Sequence, residues 1–143
     1  MTIGKRSGFI SLFFFSLVAC SQPNITMDKK NDVIVKGVGT PNLDKFEQFV
    51  LNVDQGKVDK IKIVHYTHEG DSIFQTLQYS GKDILYVLDN RKDQFADDNK
   101  GLYEDSCKRI VKERRELEIT YRLIDCTNEN ERNGYDLLYV PKK

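Results

Sequence analysis

The sequence predicts an α+β fold, in which one N-terminal amphipathic helix packs on an antiparallel sheet of four to six strands. Three observations support this fold class. Residues 43 to 54 carry apolar side chains at helical spacing, three later runs alternate with a period of two, and two cysteines flank a further pair of β-rich runs. The strands are therefore predicted to form a meander followed by a disulfide-linked hairpin.

The first nineteen residues have the pattern of a bacterial lipoprotein signal peptide. Two basic residues precede an uncharged stretch from residue 8 to residue 19, which is shorter than the roughly 20 residues that a membrane-spanning helix needs. The motif Leu-Val-Ala-Cys that ends at Cys20 is typical of a lipobox, where a diacylglycerol is attached to the cysteine. An ordinary signal peptide cleaved beside a cysteine is the alternative. We predict that residues 1–19 are removed and that Cys20 anchors the protein on the extracytoplasmic side of the cell membrane.

Charge and cysteine count limit the possible partners. Residues 1–19 contain two of the 22 basic residues and none of the 22 acidic residues, so the mature chain has a net charge of −2. The mature chain therefore lacks the excess of basic residues that nucleic acid binding requires.

The number of cysteines points to one disulfide bond. If Cys20 carries lipid, Cys107 and Cys126 remain as a pair that an exported chain can oxidise. We predict a structural bond, because redox-active thiols typically occur in a C-x-x-C motif.

Residues 20–41 are predicted to be a lipid-anchored tether. The segment begins with polar residues and contains two prolines and two glycines without a helical period. Its β-branched patch at residues 32–39 could add a short edge strand. Residues 42–143 are then a single ectodomain.

The helix is predicted from residue 43 to residue 54. Asn42 occupies the position of an N-terminal cap, and Gly56 is placed to end the helix in a left-handed turn. The apolar residues at three- and four-residue steps are Leu43, Phe46, Phe49, Val50 and Val53.

Three strands are predicted within residues 58–68, 72–80 and 83–90, separated by short glycine-containing turns. One face of this meander should be buried. The residues expected on that face are Ile61, Ile63, Ile73, Leu77, Ile84, Tyr86 and Leu88.

Residues 102–116 match both helical and strand patterns. We favour a strand from about 105 to 113 that pairs with residues 116–126, because this hairpin brings Cys107 near Cys126. A final strand at residues 135–140 closes the sheet.

Polar residues near two turns of the meander form a candidate interaction surface. These residues are Glu69, Asp71, Asp89, Asn90 and Asp93. No start point in the acidic loop matches the ligand spacing of an EF-hand, which leaves a nonstandard calcium site as the alternative to a solvated loop.

The sequence offers no catalytic constellation. His65 and His68 are three residues apart on a strand, so they should point to opposite faces and cannot bind one metal ion. Neither histidine lies beside a nucleophile motif such as G-x-S-x-G. We therefore predict no catalytic residue, no metal and no cofactor.

Several stretches resemble small lipoproteins of bacilli whose ectodomain is a domain of unknown function, number 4362. The resemblance covers roughly residues 42–126, and it rests on the order and spacing of NLDKFEQFV, VHYTHEGDSIF, YSGKDILYVLDNRKD, CKRI and YRLIDC. It implies a tethered extracytoplasmic domain with a Cys107–Cys126 bridge, without a known reaction or ligand.

These observations favour a non-catalytic binding module that recognises an envelope protein or a wall component. Two alternatives come from other classes of protein. An inhibitor or immunity-type protein that blocks a secreted enzyme would present an exposed apolar patch and no pocket. A wall or peptide hydrolase would bring several of the acids named above together in a cleft, with raised pKa values.

Overall fold

The computed structural model describes residues 25–37, 39–128 and 133–142. The described part is mainly β, with eight strands in two sheets, one α-helix and one turn of 3-10 helix. The elements in chain order are β1 (Val33–Val35), α1 (Leu43–Asp54), β2 (Asp59–Tyr66), β3 (Ser72–Tyr79), β4 (Ile84–Asp89), the 3-10 turn (Asp97–Asn99), β5 (Leu102–Cys107), β6 (Arg109–Arg114), β7 (Glu118–Ile124) and β8 (Tyr135–Pro141). The predicted fold class, an N-terminal helix on a single antiparallel sheet of four to six strands, is therefore wrong.

The first sheet has five strands in the order β1-β2-β3-β4-β5. Strands β2, β3, β4 and β5 are antiparallel to one another in succession, and β1 adds to the free edge of β2 in the parallel direction. The first three strands of the predicted meander lie where the alternating pattern placed them. The short edge strand that the β-branched patch suggested is β1.

The second sheet has three strands in the order β6-β7-β8. The single strand predicted at about residues 105–113 is instead two strands, because the chain passes from one sheet to the other at Lys108. Cys107 pairs with Ile84 in the five-stranded sheet, whereas Arg109 pairs with Ile124 in the three-stranded sheet. This change of sheet, which the alternation of residue types does not reveal, is the reason that the fold class was wrong.

One hydrophobic core joins the two sheets and the helix. The expected inner face of the meander is confirmed at Ile61, Ile63, Leu77, Ile84 and Tyr86, which are all buried there. The three-stranded sheet adds four further buried residues, which are Tyr121, Leu123, Leu137 and Leu138. From the helix, the Phe46 ring meets the Tyr121 ring edge-on at 5.0 Å. The helix thus contributes to a core that the two sheets enclose, where packing of this kind supplies most of the stability.

The segment assigned to the tether is in part built into the fold. Residues 25–32, which we call the strap, cross the outer face of the five-stranded sheet, away from the core. Lys92 Nζ donates to the Ile25 carbonyl at 3.2 Å, and Tyr66 Oη donates to Met27 Sδ at 2.9 Å. Buried Asp32 pairs with Lys62 at 3.1 Å. The described fold therefore begins by residue 25 rather than at residue 42.

The helix has the predicted bounds, and Gly56 follows it in the left-handed conformation, with φ 71°. Asn42 is not the predicted cap. It has φ 63°, makes no side-chain bond to the helix, and its Nδ2 donates to the carbonyls of Asp32 at 2.7 Å and Lys29 at 3.2 Å. Asn42 therefore fastens the strap to the start of the helix, which explains why a residue tolerant of positive φ occupies the position.

Two substitutions should separate the roles of Asn42. Asn42→Gly removes the side-chain hydrogen bonds and keeps the left-handed backbone, so we expect a loss of about 1 kcal/mol. Asn42→Ala adds the cost of positive φ, for a total of about 2 kcal/mol. Urea unfolding monitored by circular dichroism measures both losses. Equal stability of the two variants would show that the backbone conformation is not strained.

Candidate functional site

A cleft of about 330 Å³ opens where β4, β5 and the start of β8 meet. Three tyrosines and several polar groups surround it, and we call it the tyrosine cleft. Its lining residues are Tyr86, Leu88, Asn99, Tyr103, Glu104, Asn128 and Tyr135. The combination of aromatic rings with amide and carboxylate groups is common in sites that bind polar ligands.

The tyrosines of the cleft have different roles. Tyr86 and Tyr135 stack on each other with ring centroids 4.3 Å apart, and Tyr86 is almost fully buried. Tyr103 is 46% exposed and its hydroxyl donates to the Asn99 carbonyl at 2.8 Å. The stacked pair thus forms the inner wall, and Tyr103 forms an accessible outer wall.

The side chain of Asp105 links the segments that form the cleft. It lies on β5 and is buried, and its carboxylate accepts hydrogen bonds from the Thr127 hydroxyl at 2.5 Å and the Tyr135 hydroxyl at 2.8 Å. The same carboxylate accepts the backbone N–H groups of Ser106, Thr127 and Asn128 at 2.7 to 3.3 Å. One side chain therefore joins β5, the segment after β7 and the start of β8.

Asp105 remains ionised at neutral pH. Burial acts to raise the pKa of this carboxyl, but the hydrogen bonds from Thr127, Tyr135 and the backbone outweigh burial, and the pKa is lowered. A carboxylate in this state accepts hydrogen bonds strongly and is a poor proton donor. The arrangement suits a structural support better than a general acid.

A disulfide bond lies beside Asp105. Cys107 and Cys126 are bonded, as predicted, and the Thr127 N–H donates to the Ser106 carbonyl at 2.9 Å, so the bond fastens residues 126–128 along β5. Among the described residues, the side chains of Asp105, Cys107 and Cys126 are the one group whose ligand atoms lie close enough for a metal ion. Because the two sulfurs are bonded to each other, this group does not form a metal site.

A chain of hydrogen-bonded polar groups runs from the cleft across the inner face of the five-stranded sheet, from β4 through β3 to β2. The Gln75 amide nitrogen donates to the Tyr86 hydroxyl and to the Asp136 carbonyl, both at 3.1 Å. The Gln75 amide oxygen therefore faces His65 Nε2 at 2.8 Å, which places the proton on that nitrogen. His65 is half-buried on β2, whereas His68 is exposed in the following turn.

Burial lowers the pKa of His65 below its ordinary value of 6.5, although hydrogen bonds to Gln75 and the Leu137 backbone favour the charged form. Protonation in the unfolded chain therefore begins at higher pH than in the folded chain. The stability that neutral His65 provides should be complete above pH 6.5 and should be lost as the pH falls below that value toward the folded-state pKa.

The predicted loss of stability at lower pH can be tested by comparing the wild type with His65→Gln. Between about pH 7 and pH 5 we expect the unfolding free energy of the wild type to fall by at most about 1.4 kcal/mol per pH unit. The fall should be smaller in His65→Gln and unchanged in His68→Gln. Urea unfolding across this range measures it, and equal slopes in wild type and His65→Gln would contradict the assignment.

The predicted interaction surface consists mainly of residues that build the loop after β4. Asp71 Oδ2 accepts the Gln94 N–H at 2.9 Å, and Asn90 Oδ1 accepts the Gly101 N–H at 2.7 Å. Asp93 Oδ1 accepts the Phe95 N–H at 2.9 Å, and Glu69 is exposed in the turn between β2 and β3. The structure thus brings most of the predicted residues to one end of the five-stranded sheet, where their oxygens order the backbone.

Asp89 is a carboxylate paired with Arg91. It is buried, and both its oxygens accept from the Arg91 guanidinium at 2.8 Å. These hydrogen bonds lower the pKa of Asp89, although burial opposes them. The hydrolase alternative required raised pKa values in this group, so Asp89 gives it no support.

Sequence reasoning missed the tyrosine cleft and Asp105. A usable signal was present, because Asp105 and Cys107 are two residues apart on a strand and therefore face the same way. Cys107 is in the core, so an acid on that face needs several hydrogen-bond partners. The predicted strand at about residues 105–113 already placed both residues on one face, but the need of Asp105 for partners was not recognised.

The predicted lipidation site, Cys20, and the signal peptide of residues 1–19 lie outside the described residues. Within the described ranges, no helix combines the length and the apolar character that crossing a bilayer requires.

Comparisons with known proteins identify the family and no individual relative. No curated protein and no solved structure matches the chain. The model of a family described as a domain of unknown function, DUF4362, matches residues 30–122. This range includes part of the strap, all of β1 to β6 and most of β7, in agreement with a fold that begins before the helix. The chain therefore belongs to the DUF4362 family.

Proposed function

We propose that this protein is a lipid-anchored extracytoplasmic binding module, which recognises an envelope protein or a wall component without catalysing a reaction. The observation that carries the proposal is the tyrosine cleft, which is supported by Asp105 and the adjacent disulfide bond. A preformed cleft loses little entropy when it binds a ligand. A disulfide at this position is consistent with a compartment outside the cytosol, where such bonds persist.

The chemistry of the cleft limits its ligand. The rings of Tyr103, which is exposed, and Tyr135, which is half-buried, offer apolar surface, and Asn99 and Asn128 add polar groups to the lining. Glu104 adds negative charge at the rim, which disfavours anionic ligands. We therefore infer a neutral or cationic ligand, such as an uncharged part of a wall glycan or a peptide segment.

A photocrosslinking experiment in the native cells tests the proposal. A photoreactive amino acid replaces Tyr103 in the cleft, and a matched control replaces Tyr139, which has nearly the same exposure (48% against 46%) but lies on β8 outside the cleft. We expect a specific adduct at position 103 that is absent at position 139. The proposal fails if position 103 gives no adduct or if both positions give the same adducts.

The inhibitor alternative has less support. It required an apolar patch, but the most exposed large apolar residues of the described ranges lie in separate turns and loops, for example Val58, Phe95 and Leu117. No contact among the described residues favours the inhibitor alternative over a binding module that uses the tyrosine cleft.

A further inference from the structure

We propose that the outer face of the five-stranded sheet lies against the anionic surface of the membrane, on the side of the sheet opposite to the tyrosine cleft. This inference rests on the proposed lipid anchor at Cys20 and adds to it the orientation of the folded domain. Three features of the outer face carry it: the position of the strap, the short distance along the chain to Cys20, and the composition of a groove beside the strap.

The strap fixes where the chain leaves the described fold. Ile25 and Thr26 are held on the outer face because their carbonyls accept hydrogen bonds from Lys92 and Lys62, respectively. Val64 and Phe74 also belong to this face and are nevertheless buried, which shows that other residues pack tightly over this part of the sheet. The start of the described chain is therefore attached to the outer face.

Chain length then limits the position of the lipid. Four residues lie between Cys20 and Ile25, and the five Cα-to-Cα steps of an extended chain reach at most about 18 Å. A path to the far side of the second sheet would have to pass the edge of the first sheet and cross the roughly 10 Å between packed sheets, as well as the side chains beyond. The lipid on Cys20 is therefore expected to lie near the outer face rather than on the opposite side of the domain.

The outer face has a composition suited to a lipid surface. A groove of about 560 Å³ lies beside the strap, and its walls include Ile25, Leu85 and Val87. Lys60 borders the groove and Lys92 lies over the Phe74 ring at 5.0 Å on the same face, whereas Lys62 is paired with the buried Asp32. Leu85 is 40% exposed near the start of β4, where it pairs with Gln78. Apolar groups flanked by lysines bind anionic interfaces through burial and charge together.

Most of the cleft lies on the side of the sheet opposite to this face; the exception is Glu104, which pairs with Val87 on the edge strand β5. Leu85 and Val87 alternate along β4 with Tyr86 and Leu88, which line the cleft, and successive residues of a strand point to opposite faces. A domain seated on its outer face therefore keeps the tyrosine cleft accessible from the wall side.

Fluorescence quenching by lipid tests the orientation. The full-length protein, purified from membranes with its native anchor, is placed in liposomes that contain phosphatidylglycerol. A single free cysteine replaces Leu85, or Gln78 beside it on the same face, and carries a polarity-sensitive fluorophore. The matched control is Leu117→Cys, at a residue that is 79% exposed in the turn between β6 and β7 of the other sheet.

We expect spin-labelled lipid to quench the fluorophore at positions 85 and 78 several-fold more than at position 117. Replacing phosphatidylglycerol with phosphatidylcholine should reduce this difference. Mass spectrometry of the same sample reports the lipid on Cys20. If the lipid is present and quenching is equal, or stronger at position 117, the orientation is wrong and the anchor stands. If the lipid is absent, both the anchor and the orientation are wrong.

Discussion

Replacing Asp105 with alanine should lower the free energy of unfolding by about 3 kcal/mol, because the buried carboxylate accepts hydrogen bonds from two hydroxyls and three backbone N–H groups, and all of these bonds are lost. The Thr127 and Tyr135 hydroxyls lose their partner, together with backbone N–H groups on the same segment. Urea unfolding followed by circular dichroism measures the loss. Asp98, an exposed acid in the 3-10 turn, provides the control, and Asp98→Ala should change stability by less than about 0.5 kcal/mol.

Asp105→Asn separates shape from charge. The amide keeps one acceptor oxygen in nearly the same volume, so we expect a smaller loss than in Asp105→Ala. Both substitutions should also reduce crosslinking at Tyr103, because Tyr135 loses the bond that holds it in the cleft wall. A stability loss below about 1 kcal/mol in Asp105→Ala would contradict the central position we give this residue.

Removing the disulfide bond should have an effect of similar size. We expect the double variant Cys107→Ala with Cys126→Ala to lose about 3 kcal/mol, because the bond closes a loop with a sequence separation of 19 residues. Replacing both cysteines avoids an unpaired thiol. A reducing agent should lower the stability of the wild type by a comparable amount and leave the double variant unchanged. If reduction does not affect the wild type, the bond contributes no stability.

The disulfide bond and Asp105 should not act independently. Both fasten residues 126–128 to β5, so the loss in a variant that combines the changes should be smaller than the sum of the separate losses. Additive losses would show that the two supports hold different parts of the molecule. A double-mutant cycle with the same unfolding measurement decides between these outcomes.

Local patterns predicted the helix and the meander well. The apolar spacing around Phe46 and Phe49 gave the correct helix bounds, and alternation placed β2, β3 and β4 to within two residues. These elements are determined by neighbouring residues, since a helix or a hairpin forms from contacts that are near in sequence. The turns at Gly70 and Gly81 were also visible, and both glycines have positive φ.

The division of the strands into two sheets could not be predicted from local sequence patterns. A strand that continues in one sheet and a strand that passes into another have the same alternation, and Lys108 gives no turn signal. The strap was missed for a related reason, because its hold on the domain depends on Lys62 and Lys92, which are distant in sequence. Such contacts become apparent only in three dimensions.

The functional site was likewise predicted only in part. The Cys107–Cys126 bond was predicted from the number of cysteines, and it is confirmed. The tyrosine cleft was not predicted, because Tyr86, Tyr103 and Tyr135 come from three strands in two sheets, whose meeting depends on the topology. The residues proposed as an interaction surface were polar residues near two turns of the meander, and their oxygens mostly order the loop after β4.

The account depends most on the chemical state of Cys20, and intact mass spectrometry of the protein from native membranes tests it directly. We expect a chain that lacks residues 1–19, carries a diacylglycerol on Cys20, and is two hydrogens lighter than the reduced form because Cys107 and Cys126 are bonded. An unlipidated chain that still begins at Met1, recovered from a soluble intracellular fraction, would contradict the proposed anchor and the site of action outside the cytosol.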